Sequence, residues 1–198
     1  MKAVNTFLVL GVLVMGIGCK GEDPQVTSSG EKSLVDMSMG SYTTASTSFP
    51  LMEFVIPSAY AAVSDLRFCF KRVRFKRADE DTLDAVGAED NVDFEIGEVI
   101  LDNTGALLGK VEVPEATYKR LEFDLEDGCG TGHSVELMND NGSFTSADRI
   151  TVKFRGEFTA NEASESLTLG VQSIVDAVNS HNVGDDLKDT LEGASGSL

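Results

Sequence analysis

The stretch from Ile150 to Phe158, ITVKFRGEF, sets Ile150, Val152, Phe154 and Phe158 on one side of the chain and Thr151, Lys153, Arg155 and Glu157 on the other. A period of two is the repeat of a β-strand, whose successive side chains point to opposite faces. Leu121, Phe123 and Leu125 repeat it against Arg120, Glu122 and Asp124, which predicts a strand with one face in the core and one in water. Leu66, Phe68 and Phe70 alternate as well, and Val73 and Phe75 continue in the opposite phase. The change near Lys71-Arg72 predicts a bulge, or a strand buried on different faces in its two halves.

Further strands are predicted around Phe94, Ile96 and Val99 to Leu101, then Leu107-Leu108 to Val113, Val135 with Leu137, and Leu167 to Val171. Asn103-Thr104-Gly105 reads as a turn, and Asn139-Asp140-Asn141-Gly142 as a hairpin turn. Helical spacing occurs at Val171, Ile174, Val175 and Val178, predicting a short helix over Gln172–Ser180, with a second candidate at Ser58–Val63. His181, just past the first of these, suits a surface role at a helix end. Roughly seven short strands with turns between them predict a mainly β chain, a single antiparallel β-sandwich with one or two short helices.

The N-terminus carries a different message. One Lys precedes an apolar run from Phe7 to Ile17. That run is too short to cross a bilayer of about 30 Å as a helix, and it suits the core of a secretory signal. It ends in Met15-Gly16-Ile17-Gly18-Cys19, which resembles the lipobox of bacterial lipoproteins. The resemblance implies a signal peptide over 1–18, cleavage before Cys19, and acylation of Cys19. Two or more acyl chains hold a protein stably, at about 0.8 kcal/mol per buried methylene. Lys20 follows the cysteine, and the absence of Asp there implies outer-membrane sorting in that family.

From Lys20 to Pro50 the chain is rich in Ser, Thr and Gly, so 19–50 is expected to be a flexible tether unable to offset its conformational entropy by burial. The remainder fits one domain, 51–182, followed by a mobile tail over 183–198 that is Gly/Ser-rich from Gly193. The formal net charge of -17 favours solubility and argues against a nucleic-acid partner.

With Cys19 acylated, Cys69 and Cys129 remain, and two cysteines in an exported chain suggest one disulfide. Two alternatives stand beside it: a pair of unpaired buried thiols, or a nucleophilic Cys129 assisted by His133, four residues on.

Val113-Pro114-Glu115-Ala116-Thr117-Tyr118-Lys119-Arg120-Leu121 resembles the signature of a domain of unknown function in bacterial envelope lipoproteins. The resemblance extends over about 65–175 and implies a prealbumin-like β-sandwich. It names no site.

Residues 67–77, RFCFKRVRFKR, are a cationic strip in an acidic chain. From Ala78 to Ile100 there are acids (Glu95 and Glu98 among them) and no base. Neighbouring segments tend to pair, and opposite charges across strands contribute about 0.2–1 kcal/mol each, so the strip is expected to be neutralised internally. The alternative is a patch for an anionic envelope surface, carried by Arg67, Lys71, Arg74 and Lys76. No EF-hand, nucleophile-elbow or phosphate-loop motif is present. A non-EF calcium site at Asp79, Asp81 and Asp84 is a secondary reading, and no zinc set, other metal site or cofactor is expected. The sequence thus reads as an exported, lipid-anchored envelope protein, a non-catalytic module for an unknown protein or glycan partner. An envelope hydrolase using acids or His133 is the alternative.

Overall fold

The computed structural model describes residues 31–43, 63–77, 91–92 and 94–198. The fold is mainly β, with two sheets in contact and two short helices. Its central strand is β2 (Asp65–Lys76). One edge of β2 carries β6 (Ala116–Leu125) along residues 70–76 and β7 (Val135–Asn139) along residues 65–68, both antiparallel. The other edge carries β3 (Asn91–Val92) and β4 (Gly97–Ile100). β9 (Ile150–Ala160) pairs with β6, and β8 (Gly142–Ser146) with β7. The register of β2 on β6 shifts between Phe70 and Arg72, the bulge that the phase change predicts.

The second sheet has the order β10 (Ser164–Leu169), β1 (Lys32–Met39), β5 (Ala106–Pro114). Its Val35, Met37, Val111, Val113 and Leu169 share one core with Leu66, Phe68, Phe70, Phe75, Leu121, Phe123 and Phe154 of the larger sheet. Phe123 sits between Phe70 and Phe154 with edge-on ring contacts at 5.2 and 5.4 Å. The Tyr118 hydroxyl donates to the Pro114 carbonyl at 2.6 Å, closing the corner between β5 and β6. Asp102 and Gly105 bridge across the expected turn before β5. The Asp102 carboxylate accepts the Thr104 hydroxyl and amide, which holds its pKa below the ordinary Asp value.

The two ends of the chain and the start of β4 differ from expectation. The tether is not free of structure over its whole length: residues 32–39 are β1, with Ser33, Val35, Met37 and Met39 turned into the core at alternate positions. That face is short and carried by Met and Val, so the surrounding Ser and Thr hide it in composition. Phe94 and Ile96 pack against the core but precede β4, which begins at Gly97. The C-terminal segment is ordered: α2 (Leu187–Gly193) buries Leu187 and Leu191, and β11 (Ser195–Ser197) pairs with β9. The two end segments also make the sheets mixed rather than purely antiparallel, since β1 runs parallel to β10 and β11 parallel to β9. The candidate helix at 58–63 lies outside the described residues apart from Val63, which is not helical. The other helix is α1 (Gln172–Asn179), burying Ile174, Val175 and Val178.

Gly196 explains the glycine in the tail. A Cβ there would stand 2.3 Å from the ring of the fully buried Phe154. Gly196→Ala is therefore expected to destabilise the protein by about 1–3 kcal/mol, as overpacking does. Gly193→Ala, with open space around its Cβ, should be neutral or slightly stabilising. Urea unfolding midpoints of the two variants check this: equal midpoints would mean that β11 does not hold the core.

Candidate functional site

Cys69 and Cys129 form the disulfide, with Cα atoms 5.7 Å apart. Its position is set by β2. Strands β6 and β7 lie end to end on one edge of β2, and the chain leaves the sheet between them over residues 126–134. Cys69 faces that gap: its amide donates to the Ser134 carbonyl at 2.9 Å, and its carbonyl accepts from the Glu126 amide at 3.1 Å. The disulfide pins the middle of the excursion to the strand it leaves. It also consumes the Cys129 sulfur, so the nucleophilic reading with His133 has no thiol, and the reading of two free thiols falls with it. His133 is half-buried in the same loop, where its amide donates to the Thr131 hydroxyl at 3.4 Å.

The cationic strip runs along β2, and carboxylates meet it from several directions. Arg67 Nη2 lies 3.1 Å from Asp65 and Nη1 3.7 Å from Glu98. The hydrogen bond and charge of Asp65 come first among the causes that hold the Arg67 pKa above its ordinary value. Lys71 meets Glu95 at 2.9 Å, and that contact raises its pKa in the same way. Glu95 and Glu98 belong to the acidic segment after the strip. Arg74 turns instead to β6, reaching Glu122 at 3.1 Å and Asp124 at 2.7 Å. Lys76 is buried, opposite Arg120 in the register of β2 on β6, and is also engaged. Arg67, Lys71 and Arg74 thus each have carboxylate partners within the chain.

The partners on β6 depart from the sequence pattern. Arg120, Glu122 and Asp124 occupy the face expected in water, yet Arg120 and Asp124 are 0 % exposed. Asp124 is fully satisfied: Arg74 Nη2 donates at 2.7 Å, Arg149 Nη2 at 2.8 Å and the Thr151 hydroxyl at 2.9 Å. Burial alone pushes its carboxyl up. The Arg149 hydrogen bond, the Arg74 charge, Thr151 and the Arg149 charge outweigh burial and hold it below the ordinary Asp value. Asp124 in turn raises the Arg149 pKa. Arg120 Nε lies 2.9 Å from Glu122 Oε1, near enough for charge attraction but off the line of a hydrogen bond. Alternation marks these residues as one face, but it cannot tell a solvated ion row from a buried one. Arg149 opposite Asp124 is a matter of topology that no local pattern carries.

His181 follows α1 as expected, but it is buried rather than at the surface, with its ring edge-on to Phe144 at 4.5 Å. Asn139 and Asn141 of the β7–β8 hairpin both donate to its carbonyl, at 3.1 and 2.9 Å, tying the helix end to the hairpin. Among the described residues no group of three or more His, Cys, Asp or Glu is arranged to hold a metal ion, and no helix is long and apolar enough to cross a membrane. Cys19, Lys20, residues 1–18 and the calcium candidates Asp79, Asp81 and Asp84 lie outside the described residues. No family model, no curated protein and no solved structure matches the chain.

Proposed function

We propose that this chain is a lipid-anchored protein of the bacterial cell envelope, whose prealbumin- or Ig-like β-sandwich serves as a non-catalytic binding or structural module. The observation that carries the reading is the use of the cysteines. The chain has three, and Cys69 and Cys129 are joined to each other. A disulfide of this kind belongs to an oxidising compartment, which fits export. The cysteine left over is Cys19, at the end of the lipobox-like stretch, where a single thiol has a chemical use. The partner in this reading is the outer membrane through the acyl chains, together with an envelope protein or glycan.

Intact mass of protein purified from membranes of a bacterial host tests it. The expected mass is that of a chain starting at Cys19 plus acyl groups, rising by the mass of two hydrogens on reduction. A Cys19→Ala variant should carry no acyl group. A wild-type chain that keeps residues 1–18, or carries no acyl group, would sink the anchor and leave a folded module without an address.

A further inference from the structure

β1 limits how far the module can sit from its anchor. The Glu31 carbonyl accepts the Glu115 amide at 3.0 Å, so the chain is held to the sandwich from Glu31 on. Glu31 lies twelve residues after Cys19, a reach of about 40 Å at full extension. β1 does not give up length to this tether. It runs between β10 and β5, paired with both, and buries Val35, Met37 and Met39. Lengthening the tether through β1 would break two ladders and open the core.

The direction of β1 gives the sandwich two unlike ends. At its start Lys32 lies opposite Pro114, and the Leu34 amide donates to the Ala163 carbonyl at 3.2 Å. Glu31 and Glu162 are exposed around this start, and Glu115 is half-buried there. The cations nearby, Lys32 and Lys119, are each paired with a glutamate, Glu112 and Glu157. This end is acidic. At the other end of β1, Met39 lies opposite Ala106, beside the Asp102–Gly105 bridge. The large apolar side chains left exposed among the described residues are Ile100, Leu107, Met138 and Val183. All four belong to this far end. Leu107 lies opposite Ser38, and Ile100 leads into the Asp102–Gly105 bridge. The Leu101 amide bonds the Leu66 carbonyl, which places the start of β2, and Met138 opposite Asp65, at the same end. Val183 follows His181, whose carbonyl accepts from Asn139, the neighbour of Met138.

Entry into a bilayer interface needs an apolar face, and the end at the start of β1 offers none of the exposed large apolar side chains. Its carboxylates are instead repelled by anionic headgroups within a screening length. We propose that the end of the sandwich marked by Glu31, Glu115 and Glu162 faces an anionic lipid surface at short range without inserting. The tether holds it in and its charge holds it off. The Asp102–Gly105 end, with the exposed apolar residues, then points away from the membrane. The inference rests on acylation of Cys19 and adds to that reading which face of the module meets the bilayer.

Energy transfer on vesicles tests it. Full-length protein purified from membranes, its acylation checked by mass, is reconstituted in phosphatidylethanolamine vesicles with or without phosphatidylglycerol. The headgroups carry an acceptor dye. The donor dye sits on an unnatural side chain in place of Asn161 in one variant and of Asn103 in another, both exposed, so the cysteines stay native. β5 spans nine residues between the two ends, about 30 Å at the rise of a strand. Transfer from position 161 should therefore exceed that from 103 several-fold. In about 0.01 M salt, where charge acts over about 30 Å, transfer from 161 should fall when phosphatidylglycerol is present. Glu115→Gln combined with Glu162→Gln should restore part of it. Equal transfer from the two positions, or more from 103, would overturn the orientation. Transfer from 161 that ignores phosphatidylglycerol would overturn the stand-off. A chain without acyl groups at the mass check would overturn the anchor itself, and the orientation with it.

Discussion

Asp124→Ala is expected to cost about 3 kcal/mol, the lower end of the range for removing one partner of a buried ion pair. The carboxylate is fully buried and accepts hydrogen bonds from Arg74, Arg149 and Thr151. Alanine leaves two guanidinium groups facing each other across an empty site. The loss stays at the lower end because Arg149 has a half-exposed side chain and can turn to water, while Arg74 keeps Glu122 at 3.1 Å. Asp124→Asn separates charge from volume. It fills the site, but Arg74 and Arg149 donate to different carboxylate oxygens, so the amide must turn its NH2 group toward one of them and most of the loss should remain. Urea midpoints at neutral pH measure both. An asparagine variant as stable as wild type would mean that the site requires shape and not charge.

The same carboxylate gives the protein an acid limit. Its folded pKa lies below its unfolded one, so the native state binds the proton less readily than the unfolded state does. The stability Asp124 contributes is therefore fully present above about pH 4, the unfolded range, and is lost as the pH falls through the lower folded value. The groups that face it are Arg74, Arg149 and Thr151, with Glu122 across Arg74, and neither guanidinium titrates in that window. Asp124→Asn should flatten the acid limb of a stability profile measured from about pH 6 down to about 3, on the same linkage argument. An unchanged acid limb would assign acid sensitivity to other carboxylates.

Sequence reasoning succeeds where a local period decides the matter. Ile150, Val152 and Phe154, Leu121 to Leu125, the bulge after Phe70, the Asn139–Gly142 hairpin and α1 are all written in spacing. It fails where distant pairing decides. Val35, Met37 and Met39 form a strand because β5 and β10 lie on either side of them. Ser195-Gly196-Ser197 is a strand because β9 offers an edge and Phe154 leaves room only for glycine. Glycine and serine are the composition of both a loose end and a close approach, so composition alone favours the wrong one. The disulfide is legible as arithmetic on three cysteines, but its place in the gap between β6 and β7 is not. The burial of His181 is not legible either: its ring meets Phe144 of β8 and its carbonyl accepts from Asn139 and Asn141, contacts that only the folded chain brings together.

Removing the disulfide, as Cys69→Ala with Cys129→Ala, is expected to cost about 4 kcal/mol in the chain-entropy account, and less to the extent that the unfolded chain stays compact. The bond closes a sequence separation of 60 residues. The native loop hardly needs it for placement, because the Cys69 amide and carbonyl already bind Ser134 and Glu126. Those bonds do nothing for the unfolded chain. If the stabilisation comes from restricting that chain, it survives intact however well the native loop is held, and the unfolded state without the bond exposes more surface. The slope of stability against urea concentration should then rise as the midpoint falls. Wild type unfolded in the presence of reductant should match the double variant in both respects. A lower midpoint with an unchanged slope would place the contribution in the native loop instead. In that case residues 126–134 should show faster amide exchange in the variant while the rest of β2 keeps its protection.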